Sequence, residues 1–368
     1  MFVISDCHLS AGHVFEGKNN PHEDFHFDEE MCDLFRHFST GKYGDGVHVE
    51  LVIAGDYFDY LNVPVKGEFE EAITEEMSVE KTKAIIAGHP KVMKALKHFA
   101  SMPDKHITYL IGNHDADLAF PKVREEIIRA WDPHGHYPSE KVTIIHDSDK
   151  IIVEGGAEIW HGMQLEAGNS LNFENPIVTT DSGMKLLSMP WGSIYVLKIV
   201  NRLKGERDFV DKIRPIKLFI MVGIVTDTFF TLKFCFLSWF YFLKTRLFND
   251  RQASLLQRLK STILILKEQS LASFQDLERP VRKYLDHNPE VHTIIVGHSH
   301  RAADKTYPDG RQYINTGTWT KMVYLDFSGI GMAQKRPFAF IHIQDGKARC
   351  ELRQWVGEAS PHRLFNAT

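Results

Sequence analysis

Five short motifs, each placed just after an apolar run, constrain this chain more than any other feature. They are Ser5-Asp6-Cys7-His8, Gly55-Asp56-Tyr57-Phe58-Asp59, Gly112-Asn113-His114-Asp115, Trp160-His161-Gly162 and Gly297-His298-Ser299-His300. The runs before them are Phe2-Val3-Ile4, Leu51-Val52-Ile53-Ala54, Thr108-Tyr109-Leu110-Ile111, Ile159-Trp160 and Thr293-Ile294-Ile295-Val296. Short, apolar and partly β-branched or aromatic, they predict strands. Ligands of open α/β sheets bind beyond the carboxyl ends of the strands, so the five motifs are expected to meet in one place. Because successive strand residues face opposite ways, Asp6 and His8 are expected to share a side, as are His298 and His300.

The motifs bring carboxylate, amide and imidazole groups to strand ends, where burial is costly unless the groups are paired or bind a metal. In order and spacing, D-x-H, G-D-x-x-D, G-N-H-D, a lone H-G and G-H-x-H, the chain resembles the calcineurin-like metallophosphoesterase family. That resemblance implies an α/β fold, a four-layer α/β/β/α sandwich, holding two divalent ions. It assigns one ion to Asp6, His8 and His300, the second to Asn113, His161 and His298, and makes Asp56 the bridge. It also makes His114 the proton donor or charge stabiliser for the leaving oxygen. Asp115 follows His114 directly and is expected to orient its ring, the arrangement common around metal-site histidines; Asp59 is expected in the same supporting shell. Arg301, next after the last motif, is expected to meet a phosphate with its forked donors.

Two such ions activate water and clamp phosphoryl oxygens, so neither a nucleophilic side chain nor a P-loop is required. The donor set, oxygen and nitrogen without thiolate, fits Mn, Fe, Zn or Co; the resemblance favours manganese. His13, His22 and His26 lie in a polar stretch with Gly and Pro and carry no ligand pattern.

The 368 residues, 43% hydrophobic and 25% charged, are enough for a catalytic domain with an elaboration. Cys7, Cys32, Cys235 and Cys350 have no C-x-x-C spacing, which suits a reducing compartment. With Met1 followed at once by the first strand, the expectation is a cytoplasmic protein, peripheral on the inner face of the membrane if the insert described next touches lipid.

That elaboration lies between His161 and His298. The reading gives residues 1–163 and 290–368 to the catalytic domain and 164–289 to an inserted cap, helical, apolar and basic. Its first part, residues 164–183, reads as a polar loop. Residues 218–225 and 229–243 are the most apolar stretches of the chain, and a further amphipathic helix is expected over 253–271. Between Lys198 and Lys267 there are 14 Lys and Arg against 5 Asp and Glu, in a chain whose net charge is −5. A basic, aromatic insert on an acidic body is the pattern of a cap that meets an anionic membrane or amphiphile. Asp227 and Lys233 interrupt the run where a spanning helix would tolerate them least. Two cap helices are expected instead, the second capped by Asp227 or Thr226, touching the bilayer through residues 218–243. Burial in a subdomain or a homodimer contact are the alternatives.

Within the family, a helical insertion with a lipid substrate is similar to the UDP-2,3-diacylglucosamine pyrophosphohydrolases. Those enzymes have Arg where this chain has His114, and H-G-D where it has His161-Gly162-Met163. The expected reaction is hydrolysis of a phosphodiester or pyrophosphate bond, with an amphiphilic or lipid-linked phosphoester as substrate. A nuclease or soluble nucleotide phosphodiesterase is the alternative, nucleic acid being disfavoured by the acidic body, and a non-enzymatic scaffold is the third class. Residues 315–319, one hairpin beyond the last motif, are expected to form a loop near the ions, and 338–343 a closing strand.

Overall fold

A computed structural model describes residues 1–214, 216–247, 277–324, 331–333, 335–357 and 362–364. In chain order its main strands are β1 (Phe2–Ile4), β2 (Val49–Ala54), β3 (Lys105–Leu110), β4 (Val142–Ile145), β5 (Lys150–Val153), β6 (Ala157–Trp160), β7 (Thr293–Val296), β8 (Ala303–Thr306), β9 (Gln312–Asn315), β10 (Arg336–Gln344), β11 (Lys347–Trp355) and β12 (His362–Leu364). They form two sheets, ordered β12-β11-β10-β1-β2-β3-β4 and β8-β9-β7-β6-β5. Strands β1 to β4 run parallel, as do β6, β7 and β9, while β10 closes against β1 antiparallel.

Alternation along the strands explains why both faces of each sheet are apolar. Phe2, Ile4, Leu51, Ile53, Ile107 and Tyr109 face an outer core that also takes residues of helices α1 (Asp28–His37), α3 (Pro90–Ser101) and α4 (Pro121–Trp131). Their neighbours Val3, Val52 and Ala54 face Ala157, Ile159, Ile295 and Ile314 of the other sheet. On the far side of that sheet, Trp160, Ile294 and Val296 pack with Val281 and Leu285 of helix α9 (Glu278–His287). The two sheets therefore stack with helices outside each. Helices α3 and α4 start with Pro at the first turn, where its missing N–H is not needed. Helix α2 (Glu75–Gly88) starts instead at Thr74, whose side chain accepts from the Met77 N–H.

The insert is more structured than a polar loop followed by helices. Ile177–Thr179 and Lys185–Leu187 form a small hairpin, and helices α5 (Trp191–Tyr195) and α6 (Asn201–Lys204) flank a wide turn at Val196–Val200. Ile213–Arg214 pairs with Met322–Tyr324, tying the insert to the C-terminal part of the chain. Helices α7 (Ile216–Thr226) and α8 (Thr228–Leu247) pack together. Phe219 meets Phe234 edge to face, ring centroids 5.7 Å apart, and a Cβ on Gly223 would lie 2.3 Å from Thr231 Oγ1. These pairs are symmetric about Asp227, so the two helices form a hairpin with Asp227 at its tip. The expected helix over 253–271 lies outside the described residues.

Asp227 directly precedes α8, but among the described residues neither its side chain nor that of Thr226 accepts a backbone N–H of the helix's first turn. The Asp227 N–H donates to Gly223 O and the Thr231 N–H to Asp227 O, so helical bonding carries through the bend; the Thr226 hydroxyl turns back to Val222 O. The Asp227 carboxylate accepts from Arg207 Nε at 2.8 Å. Among the described residues no helix is long and apolar enough to cross a membrane.

Candidate metal centre

The motif residues lie past the strand ends, in loops, so alternation along a strand is not what aims them. Asp6, His8, Asp56, His298 and His300 all have positive φ, between 50° and 66°. Among non-glycine residues, Asp and His tolerate this left-handed region better than most, at a cost of about 1–3 kcal/mol each. Main-chain bonds hold them there: Asp6 N–H donates to Gly55 O, and the Cys7 and His8 N–H groups both donate to Asp56 O. The first and second motifs are thereby laced together. Motif glycines make room for ligands of other motifs, since a Cβ on Gly112 would lie 2.2 Å from Asp56 Oδ1 and one on Gly297 2.3 Å from Asp6 Oδ2.

Three groups of side chains bring ligand atoms within 4.8 Å of one another: Asp6, His8 and His300; Asp56, His161 and His298; and His8, Asp56 and His114. Asn113 joins the second through its Oδ1, 3.1 Å from His161 Nε2. Asp56 Oδ2 lies 3.3 Å from His161 Nε2 and 3.9 Å from His8 Nε2, between the first two groups. All seven residues that the resemblance makes metal ligands are thus brought together.

Atoms bound about 2.0–2.2 Å from one ion lie about 3–3.5 Å apart. His8 Nε2 to His300 Nε2 is 3.0 Å, His300 Nε2 to Asp6 Oδ1 is 3.4 Å, and both His161 Nε2 contacts fall in the same range. The His8 and His161 rings are also oriented by their other nitrogens. His8 Nδ1 is 3.1 Å from Asp59 Oδ2, and His161 Nδ1 is 2.9 Å from Ala54 O. With Nδ1–H donating outward, Nε2 keeps its lone pair toward the group. The donor set and its spacing fit two divalent ions.

Electrostatics points the same way. Burial alone would raise the Asp56 carboxyl, yet the charges of His161, His114 and His8 hold it well below the ordinary carboxylate range. Burial would lower the His161 ring, but Asp56, Asp6 and Asp115 push it up to about 10. His114, likewise opposed by burial, is pushed up to about 9 by Asp59 and Asp56. Crowded carboxylates draw protons onto these rings, and a cation would take the protons' place.

Asp115 does not orient His114. It accepts from Tyr57 N–H at 3.0 Å, from the Tyr109 hydroxyl at 2.5 Å and from Gly112 N–H, so it pins the loops that carry Asp56 and Asn113. Burial and the nearby Asp56 charge push it up to about 7. The His114 ring is held by Asp59 instead, Nδ1 to Oδ1 at 3.0 Å. Asp59 therefore serves two rings, since its other oxygen meets His8. Arg301 is exposed, and among the described residues its side chain has no hydrogen-bond or ion-pair partner. The 315–319 loop does reach the site: Thr318 Oγ1 and Trp319 N–H both donate to Asp6 O. His13 and His26 stack on each other, centroids 4.4 Å apart, and belong to none of the ligand groups.

Sequence reading missed Glu166. Its Oε2 lies 3.0 Å from His298 Nε2, and nothing in its neighbourhood marks it except its place five residues after His161.

No known protein-family model matches this chain, and no curated protein sequence does. Among solved structures, it shows likeness to a zinc complex of Vps29 from Entamoeba histolytica, 18% identical over 23% of this chain with a TM-score of 0.17. The chain spans 43% of that protein's length. A dimetal phosphatase from Danio rerio is 11% identical, covering 100% of this chain and 98% of its own, with a TM-score of 0.36. The phosphopantetheinyl hydrolase of Mycobacterium tuberculosis is 11% identical, covering 86% and 90%, with a TM-score of 0.28. Likenesses this distant carry no weight for function, which rests on the geometry above.

Proposed function

We propose that this chain is a dinuclear metal-dependent phosphoesterase of the calcineurin-like kind, built as a four-layer sandwich over residues 1–163 and 290–368 with 164–289 as its cap. The observation that carries this reading is the pair of ligand groups meeting at Asp56, with the rings of His8 and His161 turned to present Nε2. Asp6, His8 and His300 would hold one ion, Asn113, His161 and His298 the other, and Asp56 both. Bound there, two divalent ions supply Lewis acidity for the phosphoryl group and activate water as the nucleophile. Manganese is proposed on the family resemblance; iron, zinc and cobalt suit the same donors.

His114 is mostly buried beside the group, its side chain 19% exposed, its Nδ1 held by Asp59 and its Nε2 left for a leaving oxygen. Held in that way it is the group that delivers a proton as the phosphoester bond breaks. Arg301, exposed next to His300, is free to meet the phosphate.

The substrate is proposed to be amphiphilic, taken from a membrane surface. What supports this is the hairpin α7–α8, which leaves Val225 83%, Phe229 90%, Phe236 61% and Trp239 59% exposed. Exposed apolar area on this scale marks an interaction surface. A diacylglucosamine pyrophosphate is one member of the class, and phospholipid headgroups are another.

The test is metal content with turnover. The purified chain should hold two divalent ions and hydrolyse an aryl phosphodiester, losing both on chelation and regaining both with Mn2+. Asp56→Asn should lower turnover by several orders of magnitude and release at least one ion. Full activity with both ions retained would end this reading.

A further inference from the structure

We propose that Glu166, supplied by the insert, is a positioning residue for the second ion and acts through His298. This rests on the dinuclear reading above and extends the centre beyond the five motifs.

The argument starts from the two nitrogens of the His298 ring. Nε2 lies 3.0 Å from Glu166 Oε2, whereas Nδ1 makes no hydrogen bond among the described residues. His298 groups with Asp56 and His161, while Glu166 is not among the residues of that group. The simplest geometry is a Nε2–H donating to Glu166 and a Nδ1 lone pair facing the group. His8 and His161 follow the same rule with the nitrogens exchanged, their Nδ1 tied to Asp59 and to Ala54 O. A carboxylate on the outer nitrogen fixes the tautomer and the ring angle of a metal-binding histidine and makes it a better donor. Asp59 does this for one ring from within a motif; Glu166 does it for another from outside them.

Glu166 is itself held. Asn169 Nδ2 donates to the same oxygen at 2.7 Å, and Glu166 O accepts the N–H groups of Asn169 and Ser170. The cap clamps this turn from above. Gly192 N–H donates to Gly168 O at 2.8 Å, and a Cβ on Gly192 would lie 2.0 Å from Asn169 Oδ1. Trp191, next to it, donates from Nε1 to Thr245 Oγ1 on α8. A second contact, Ser193 Oγ donating to Asn113 O at 3.2 Å, reaches another residue of the same group. The insert thus touches the second ion's residues at His298 and at Asn113.

Calorimetric titration of the metal-free full chain with Mn2+ tests this, using Glu166→Leu and Glu166→Gln. Wild type should bind two ions. Glu166→Leu should bind the first as wild type does and the second about 10–100-fold more weakly, the usual cost of losing such a support. Glu166→Gln, whose amide oxygen still accepts from Nε2–H, should fall between them. The metal-free variants should melt as wild type does, because the contact orients a ring and does not fill a core. Two ions bound by Glu166→Leu with wild-type affinity overturn the proposal and leave the dinuclear reading standing. Equal losses in the Gln and Leu variants overturn it too, making the carboxylate a direct ligand. A wild type that binds fewer than two ions removes the dinuclear reading, and this inference with it.

Discussion

The metal centre and the tip of the α7–α8 hairpin are built on opposite terms. In the centre nearly every polar group has its partners inside the chain: Asp6 accepts His298 N–H through both oxygens, Asp59 serves two rings, and Asp115 takes three donors. At the hairpin, Phe229, Leu232, Phe236 and Phe240 lie exposed along one face of α8, over an inner face where Phe230 and Phe234 are buried. One region is satisfied from within the chain; the other leaves apolar side chains uncovered. On the proposed reading, a site that holds two charges at fixed spacing needs over-determination, while a surface that joins an interface needs only area.

Charge sharpens the contrast. The insert's basic balance suggested attraction to anionic lipid, but its described cations are largely paired within the protein. Lys198 meets Glu71, Lys204 meets Asp24 and Asp211, Lys212 meets Asp24, Arg207 meets Asp227 and Lys233 meets Glu206. Lys204 is wholly buried, so that pair joins cap to body and offers nothing to a membrane. The lipid contact proposed for the hairpin would then be apolar in origin.

The largest effect expected from separating the two regions is at His114. His114→Ala should lower kcat by roughly 10²–10⁴, the scale of a lost acid–base group, with metal content unchanged by elemental analysis. Because His114 also groups with His8 and Asp56, loss of an ion in this variant would make it a ligand and redraw the site.

Next in size is the hairpin. The double variant Phe236→Asp with Phe240→Asp should weaken flotation with anionic vesicles at least about tenfold, given what each buried aromatic contributes, and spare turnover of a soluble aryl phosphodiester. Wild type should float in low and high salt alike, since apolar contact is not screened. A wild type that sediments in both removes the membrane, and a dimer seen by light scattering that the double variant abolishes would make a second copy the occupant.

The smallest effect is in pH. His161 and His114, lifted to about 10 and about 9 against an ordinary value near 6.5, bind more protons folded than unfolded. Their contribution to the metal-free fold is therefore complete below about pH 6.5 and fades as pH rises through 9–10. The melting midpoint of the metal-free chain should fall over that window, while the rise produced by Mn2+ should grow as ions displace protons. His89, lifted to about 9 by Asp28 and Glu23 against its burial, adds to the slope away from the site; Mn2+ separates the two. A midpoint that climbs from pH 7 to 10, or Mn2+ binding with no proton release, would contradict the site's charge balance.

Strand ends were readable because their runs are short, apolar and followed by Gly, Asp or His, a pattern that survives without knowledge of the partner strands. The division of those strands between two sheets was not in the pattern; it came with the resemblance. Glu166 could not be read, because its meeting with His298 across 132 positions depends on how a turn packs under α5. Nor could the exchange of roles between Asp115 and Asp59, since adjacency in sequence says little about which way a side chain leaves a loop. The pairing of the cap's cations was hidden for the same reason: a charge count records how many there are, not which acids face them.

The glycines at the head of the motifs carry a consequence for descent. Gly112 leaves space for Asp56, Gly297 for Asp6, and Gly55 for the ring of His161, which a Cβ there would meet at 2.4 Å. Three of the five motifs are thus keyed by a glycine to a side chain of another. In a lineage where one ligand is lost, the glycine that made room for it is released from selection, though it stands in a different motif. Decay of such a site should therefore run in pairs far apart in sequence, Asp6 with Gly297 and Asp56 with Gly112, before it spreads along any one motif.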